Sequence, residues 1–229
     1  MTTVYIISAP SGSGKSTLVN EVLKIVPGLE FSISYTTRHP RGSEKNGREY
    51  FFVPREEFEK MTQEDEFLEH AKVFGNYYGT ARRFLREAEQ TGQDLLLDID
   101  VQGAEQIKRK LPDAVSIFVL PPDRNRLEER LRKRGQDAED VIQRRLATAA
   151  REIENYSKYD YILVNDRLEE SIEALKAILL AERRKRLGVQ PSAEDTDMAV
   201  AERCRLRNVR ERVQPILASF VTTAAPGGR

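Results

Sequence analysis

One cysteine, Cys204, and two histidines, His39 and His70, are all that this chain of 229 residues has of either type. A lone cysteine excludes an intrachain disulfide. The three residues together also exclude zinc sites built from four cysteines, or from two cysteines and two histidines. A reducing compartment, the cytoplasm, is the expected location. Net charge is missing too, since Lys+Arg and Asp+Glu both number 37. Without a global basic field, neither nucleic acid nor membrane is expected as a partner. No apolar run approaches the length of a membrane span. The opening Met1-Thr2-Thr3, followed by four apolar residues, lacks the charged region and long apolar core of a signal peptide. No internal repeat is visible. What remains is a globular balance, 39% hydrophobic and 32% charged, in a length that suits one α/β domain with insertions.

Short apolar runs alternate with helical patterns. Val4-Tyr5-Ile6-Ile7 reads as a strand. Residues 16–26 read as a helix burying Leu18, Val22, Leu23 and Ile25, and Pro27-Gly28 ends it. Leu95-Leu96-Leu97, residues 115–120 and residues 161–164 read as further buried strands, each followed by a helical segment. This order predicts a parallel sheet covered by helices on both faces. Two stretches interrupt it. Residues 33–84 predict a small β-rich insertion with a short helix near residues 54–61. Residues 123–157 predict two charge-dense helices joined at Gly135.

Between the first strand and first helix lies Ser8-Ala9-Pro10-Ser11-Gly12-Ser13-Gly14-Lys15-Ser16-Thr17. It matches the phosphate-loop pattern G-x-x-x-x-G-K-[ST] except that Ala9 replaces the first glycine. Such a loop cradles phosphates with backbone N–H groups and a helix N-terminus. Gly12 and Gly14 permit the unusual turns, Lys15 brings a cation to the β- and γ-phosphates, and Ser16 offers a hydroxyl to Mg²⁺. Ala9 is harmless if its φ is negative, so the loop is expected to work. ATP-binding residues are therefore expected at Ala9, Pro10, Ser11, Gly12, Ser13, Gly14, Lys15, Ser16 and Thr17. Asp98, at the end of an apolar run, is the expected second Mg²⁺ contact, through water.

A phosphate loop alone does not separate kinases from ATPases or GTPases. In the insertion, Arg38 and Arg41 stand three apart in a proline-containing loop, with Tyr50 on the strand that follows. Two guanidinium groups and a phenol suit a second phosphate. A solvated basic loop is the plainer alternative.

The chain here closely resembles the guanylate kinases. The resemblance rests on SAPSGSGKST, the pattern S-x-S-x-T-T-R-x-P-R-x-x-E-x-x-G-x-x-Y from Ser32 to Tyr50, FLEHA from Phe67, GNYYGT from Gly75 and DIDVQG from Asp98. It covers about residues 4–187. It implies a three-layer P-loop α/β fold with a central parallel sheet, within residues 1–187. The core would be 1–32, 85–122 and 158–187, with a GMP-binding insertion at 33–84 and a helical lid at 123–157. Residues 188–229 would be a linker and helical tail. The implied reaction is ATP-dependent phosphorylation of GMP, and of dGMP, by direct in-line transfer, with Mg²⁺. The resemblance places Arg38, Arg41, Tyr50 and Tyr78 at the GMP phosphate, and Ser34, Glu69 and Thr80 at guanine. Asp100 falls in the same acceptor motif. The chemistry agrees: guanine presents N1–H and N2–H₂ side by side, and one carboxylate accepts both, whereas adenine has an acceptor at N1. Arg126, Arg130 and Arg134 share a helix face. The resemblance makes Arg134 and Arg145 the lid residues nearest the transferred phosphate, with Arg130 assisting and Asn165 near the adenine end. Lys15, Arg38, Arg134 and Arg145 are thus the expected catalytic set. The two histidines have no assigned part. A non-catalytic module of the same fold and a P-loop kinase for another acceptor are the rivals. Lys15 and Ser16 speak against the first, and Ser34, Glu69 and Thr80 against the second.

Beyond residue 188 the composition changes. "GVQPSAEDTD" reads as a linker. After it, Leu206, Val209, Val213, Ile216 and Phe220 repeat at helical spacing among five arginines, with Pro215 expected to kink the helix or start a new turn. So short a seam must dock on something. Its own core, a second subunit and an acidic partner all stay open, the chain being monomer or homo-oligomer. The tail is expected to be dispensable for phosphotransfer.

Overall fold

The computed structural model describes residues 2–73, 75–133, 138–189 and 195–221. Its elements run β1 (Val4–Ser8), α1 (Lys15–Ile25), β2 (Leu29–Ser32), β3 (Tyr35–Thr36), β4 (Phe51–Phe52), α2 (Arg55–Gln63), β5 (Phe67–Val73), β6 (Asn76–Ala81), α3 (Arg82–Thr91), β7 (Asp94–Asp98) and α4 (Val101–Lys110). Then follow β8 (Val115–Leu120), α5 (Arg124–Lys133), α6 (Glu139–Ile153), β9 (Tyr161–Val164), α7 (Leu168–Arg186), α8 (Thr196–Cys204) and α9 (Arg210–Val221). The chain divides into two compact units, one of residues 1–7 and 26–115, the other of residues 8–25 and 116–229.

In the first unit β1 and β2 both pair with β7, parallel, aligning Val4 with Leu95 and Leu29 with Asp94. Tyr5, Ile6, Leu95, Leu96 and Leu97 are fully buried, as strands covered on both faces require. A second sheet, in the order β4-β3-β6-β5, is mixed: β3 and β4 run parallel, and the other pairs antiparallel. Phe58 and Met61 of α2 pack on Phe67 beneath Tyr35 and Tyr77, which gives this sheet its own small core.

In the second unit β8 and β9 pair in parallel, aligning Ile117 with Tyr161. The expected central parallel sheet is thus present, with its helices. The burial expected on α1 needs correction. Val19 and Val26 are buried with Leu18 and Val22, whereas Leu23 is half-buried and Ile25 is 45% exposed. Positions 18, 19, 22 and 26 keep a 3.6-residue stripe that Ile25 falls outside.

The tail also departs from its expected form. Its apolar positions do not share one helix. α8 ends at Cys204, residues 206–208 form a single 3₁₀ turn, and α9 begins only at Arg210. Pro215 lies inside α9 without ending it. Val209, Val213, Ile216 and Phe220 are still buried. The linker motif reaches too far, since Thr196 and Asp197 already belong to α8. The tail folds back on its own unit. Arg184 of α7 holds Asp195 at 2.6 Å and Asp197 at 3.0 Å. Arg205 lies 4.3 Å over the Tyr161 ring, pairs with Glu182 at 2.6 Å, and bridges the edge of β9 at Tyr161.

Candidate functional site

The phosphate loop lies in the second unit. Gly12 and Gly14 have φ of 96° and 89°, in the region that penalises a Cβ. Among the described residues only Asp65 combines a side chain with positive φ. Ala9 therefore sits in ordinary backbone, and its methyl group costs the loop nothing. Lys15 is the first residue of α1, whose first turn carries no acidic side chain. The helix N-terminus thus keeps its full attraction for an anion.

Three residues distant in sequence fasten this loop. The Asn165 side-chain amide donates to Ser13 O at 2.7 Å, and a Cβ on Gly14 would meet that amide at 2.4 Å. Arg130 donates to Asn165 O at 2.9 Å and to Ser13 O at 3.4 Å. Arg145 donates to Ser11 Oγ at 2.6 Å. Burial and the like charge of Arg126 hold the Arg130 guanidinium below its ordinary pKa. A cation so placed gains much from an incoming phosphate. Arg134 lies outside the described residues. Arg124 is 18% exposed and paired with Glu128, while Arg132 pairs with Glu128 and Glu139.

The residues expected at an acceptor lie in the first unit. Glu69 and Thr80 face each other across β5 and β6 because the register shifts between Phe67 and Glu69. Such a bulge re-aims a side chain. Thr80 Oγ1 donates to Glu69 Oε1 at 2.6 Å, and both residues are buried. Burial pushes the Glu69 carboxyl up to about 7; the Thr80 bond opposes this and the charge of Asp100 adds to it. Ser34 is also buried. Asp100 caps α4, accepting from Gly103 N at 2.8 Å.

Gly103 was not singled out by sequence. A Cβ there would stand 2.4 Å from Glu69 Oε2, so α4 seats the carboxylate against bare backbone. Its place in DIDVQG was the available signal. Gly103→Ala should help α4 as a helix yet displace Glu69. Overpacking of this kind costs about 1–3 kcal/mol, at least as much as the roughly 1 kcal/mol that alanine gains over glycine in a helix, so the melting temperature should not rise and should fall by a few degrees, which a thermal scan checks.

Arg38 is held by Glu44 through two contacts of 2.9 and 3.0 Å, and its guanidinium lies 5.3 Å over the Tyr50 ring. Glu44 also accepts from Arg41 N at 2.8 Å. It stands in the R-x-x-E part of the motif but carried no predicted role; it pre-positions the arginine loop. Tyr50 and Tyr78 meet edge to face at 5.9 Å. Burial, with Asp98 adding to it, pushes the Tyr50 phenol up to about 12, so at neutral pH it is a hydrogen-bond donor. Arg41 is exposed.

Ser16 is exposed on the first turn of α1, and Asp98 ends β7 half-buried. A hydroxyl and a carboxylate are the hard oxygen donors that suit Mg²⁺. Among the described residues there is no cluster of three or more His, Cys, Asp or Glu able to hold a metal, and no helix long and apolar enough to cross a membrane.

A model of the guanylate kinase family matches residues 1–182. The guanylate kinase of Koribacter versatilis is 60% identical over 228 residues, 98% of either chain. That of Escherichia coli K12 is 52% identical over 183 residues, 79% of this chain and 88% of the other. The solved structure of guanylate kinase from Anaplasma phagocytophilum aligns with a TM-score of 0.67 at 37% identity, covering 79% of this chain and 86% of that one.

Proposed function

The chain belongs to the guanylate kinase family, and from that premise we propose how its residues divide the work. It phosphorylates GMP with ATP, giving GDP and ADP. The finer assignments are ours. The insertion 33–84 takes GMP, with guanine read by Ser34, Glu69 and Thr80 and the phosphate gripped by Arg38, Arg41, Tyr50 and Tyr78. The phosphate loop takes ATP, and the helices of 123–157 act as its lid. The buried Glu69 carboxylate, bonded by Thr80 and seated on Gly103, carries this reading. It fits the paired N1–H and N2–H₂ donors of guanine and repels the N1 lone pair of adenine.

Transfer is direct and in line, with no covalent protein intermediate, so catalysis is positioning and charge stabilisation. Lys15, Arg145 and Arg134 face the charge on the migrating phosphoryl group, and Arg38 orients the acceptor. Ser16, with Asp98 through water, would hold Mg²⁺, which neutralises phosphate charge when bound. dGMP, which differs from GMP only at the ribose 2′ position, is taken as a second acceptor. The cytoplasm, where Cys204 stays reduced, is the compartment this reading takes.

Comparing GMP, dGMP, IMP and AMP as acceptors tests it. GMP and dGMP should react at similar rates, IMP more slowly for want of N2–H₂, and AMP negligibly. Brisk use of AMP would refute the role of Glu69. On the donor side, Arg145→Ala should lower kcat about 10²-fold and leave the Kd for GMP unchanged, as expected for a contact made mainly in the transition state. An unchanged kcat with a raised KM for ATP would make Arg145 a ground-state clamp.

A further inference from the structure

The tail lies beyond the residues matched by the family model, yet within its own unit it reaches the two helices assigned to the lid. α9 packs on both α5 and α6. Its Val213, Ile216 and Phe220 are buried, at 0%, 5% and 9% exposure. At the head of α5 the fit is specific. The first N–H groups of a helix lack partners within it. Asp123 takes one of them, accepting from Arg126 N at 2.8 Å. Ser219 of α9 takes another, accepting from Arg124 N at 3.1 Å across 95 residues of sequence. The Ser219 hydroxyl donates its own proton to Ile216 O at 2.6 Å, which leaves its lone pair turned to Arg124.

α5 also lies against the phosphate loop. Leu127 and Leu131 are fully buried, and a Cβ on Gly12 would come within 3.0 Å and 2.9 Å of their methyl groups. Arg130, on the same helix, bonds Ser13, and Arg145 on α6 bonds Ser11. Both helices assigned to the lid are therefore backed by α9. The tail is in turn anchored on α7 and β9 through Arg184, Glu182 and Arg205.

We infer that the C-terminal segment 195–221 is an intramolecular brace holding α5 and α6 on the phosphate loop, with Ser219 as a positioning residue for the ATP site. It replaces the expectation of a tail dispensable for phosphotransfer, and it rests on assigning the loop and the two helices to ATP. Without the cap and the apolar backing, α5 frays at its head, and Leu127 and Arg130 lose their fixed place at the loop.

The test uses the full chain with Ser219→Ala and Ser219→Thr, measuring Kd for a non-hydrolysable ATP analogue and for GMP separately. Ser219→Ala should weaken the ATP analogue about fivefold, the size of one lost helix cap. GMP affinity should not change, and Ser219→Thr, which keeps the hydroxyl, should restore the ATP side. Hydrogen exchange at the first turn of α5 should quicken in Ser219→Ala alone. Unchanged ATP affinity, an equal loss for both nucleotides, or failure of the threonine to rescue would each overturn the brace. Lys15→Ala is the reference. If it left turnover intact, the donor-site reading would fall and the brace with it. If it abolished turnover while Ser219→Ala bound ATP normally, the brace alone would fall.

Discussion

Lys15→Ala should leave a folded protein whose turnover is lower by roughly 10³–10⁵, the scale on which phosphoryl transfer depends on a transition-state cation. Lys15 opens α1, where the helix dipole and the loop N–H groups already favour anions. Those remain in the variant, so ATP should still bind, more weakly. What is lost is the charge that follows the phosphoryl group as it leaves ADP. The geometry of the loop depends on Gly12, Gly14, Asn165 and Arg130, so circular dichroism and thermal melting should change little. Steady-state kinetics at saturating ATP and GMP decide the matter. A kcat near that of the wild type would mean that the loop binds without catalysing.

Glu69→Ala should cost GMP affinity about as heavily. Two hydrogen bonds to a charged acceptor are removed, each worth about 1.5–3 kcal/mol, so Kd for GMP should rise roughly 10²–10⁴-fold while ATP binding stays put. The carboxyl is pushed up to about 7 by burial, and this adds a signature of pH. Guanine needs the ionised form. As pH falls through about 7 the carboxyl takes up a proton, and GMP affinity should fall toward tenfold per unit. The GMP phosphate titrates near 6 and adds its own slope below that. Glu69→Gln separates the two, since only the phosphate slope should survive in it. Without ligand the sign runs the other way. A carboxyl with a raised pKa stabilises the fold fully below the ordinary carboxylate range and loses that contribution as pH climbs through about 7. The unliganded protein should therefore melt lower at pH 8 than at pH 6, by a margin that Glu69→Gln abolishes. An equal loss of ATP and GMP binding in Glu69→Ala would make the residue structural.

Contiguous signals were legible in the sequence. β8 and β9 appear over the very residues whose largely apolar runs announced them, and the loop sits between strand and helix as its glycines require. Features built from two remote segments were not. β2 is four residues long, and its strand character comes from pairing with β7. The bulge that brings Glu69 opposite Thr80 depends on the mate strand, and the need for glycine at 103 depends on a carboxylate that arrives from β5. The break between α8 and α9 follows from Leu206 N donating to Asp160 O and Arg205 covering Tyr161. Helical spacing alone could not foresee either partner.

The phosphate loop also has a place in the order of synthesis. Its residues leave the ribosome well before the residues that fasten it. Arg130 and Asn165 reach Ser13 across 117 and 152 residues, and Arg145 reaches Ser11 across 134. Contacts so distant in sequence form only after the intervening chain has been ordered. The nucleotide motif is thus made before the groups that hold it in shape. Its fastenings are complete only once the chain has been made past Asn165.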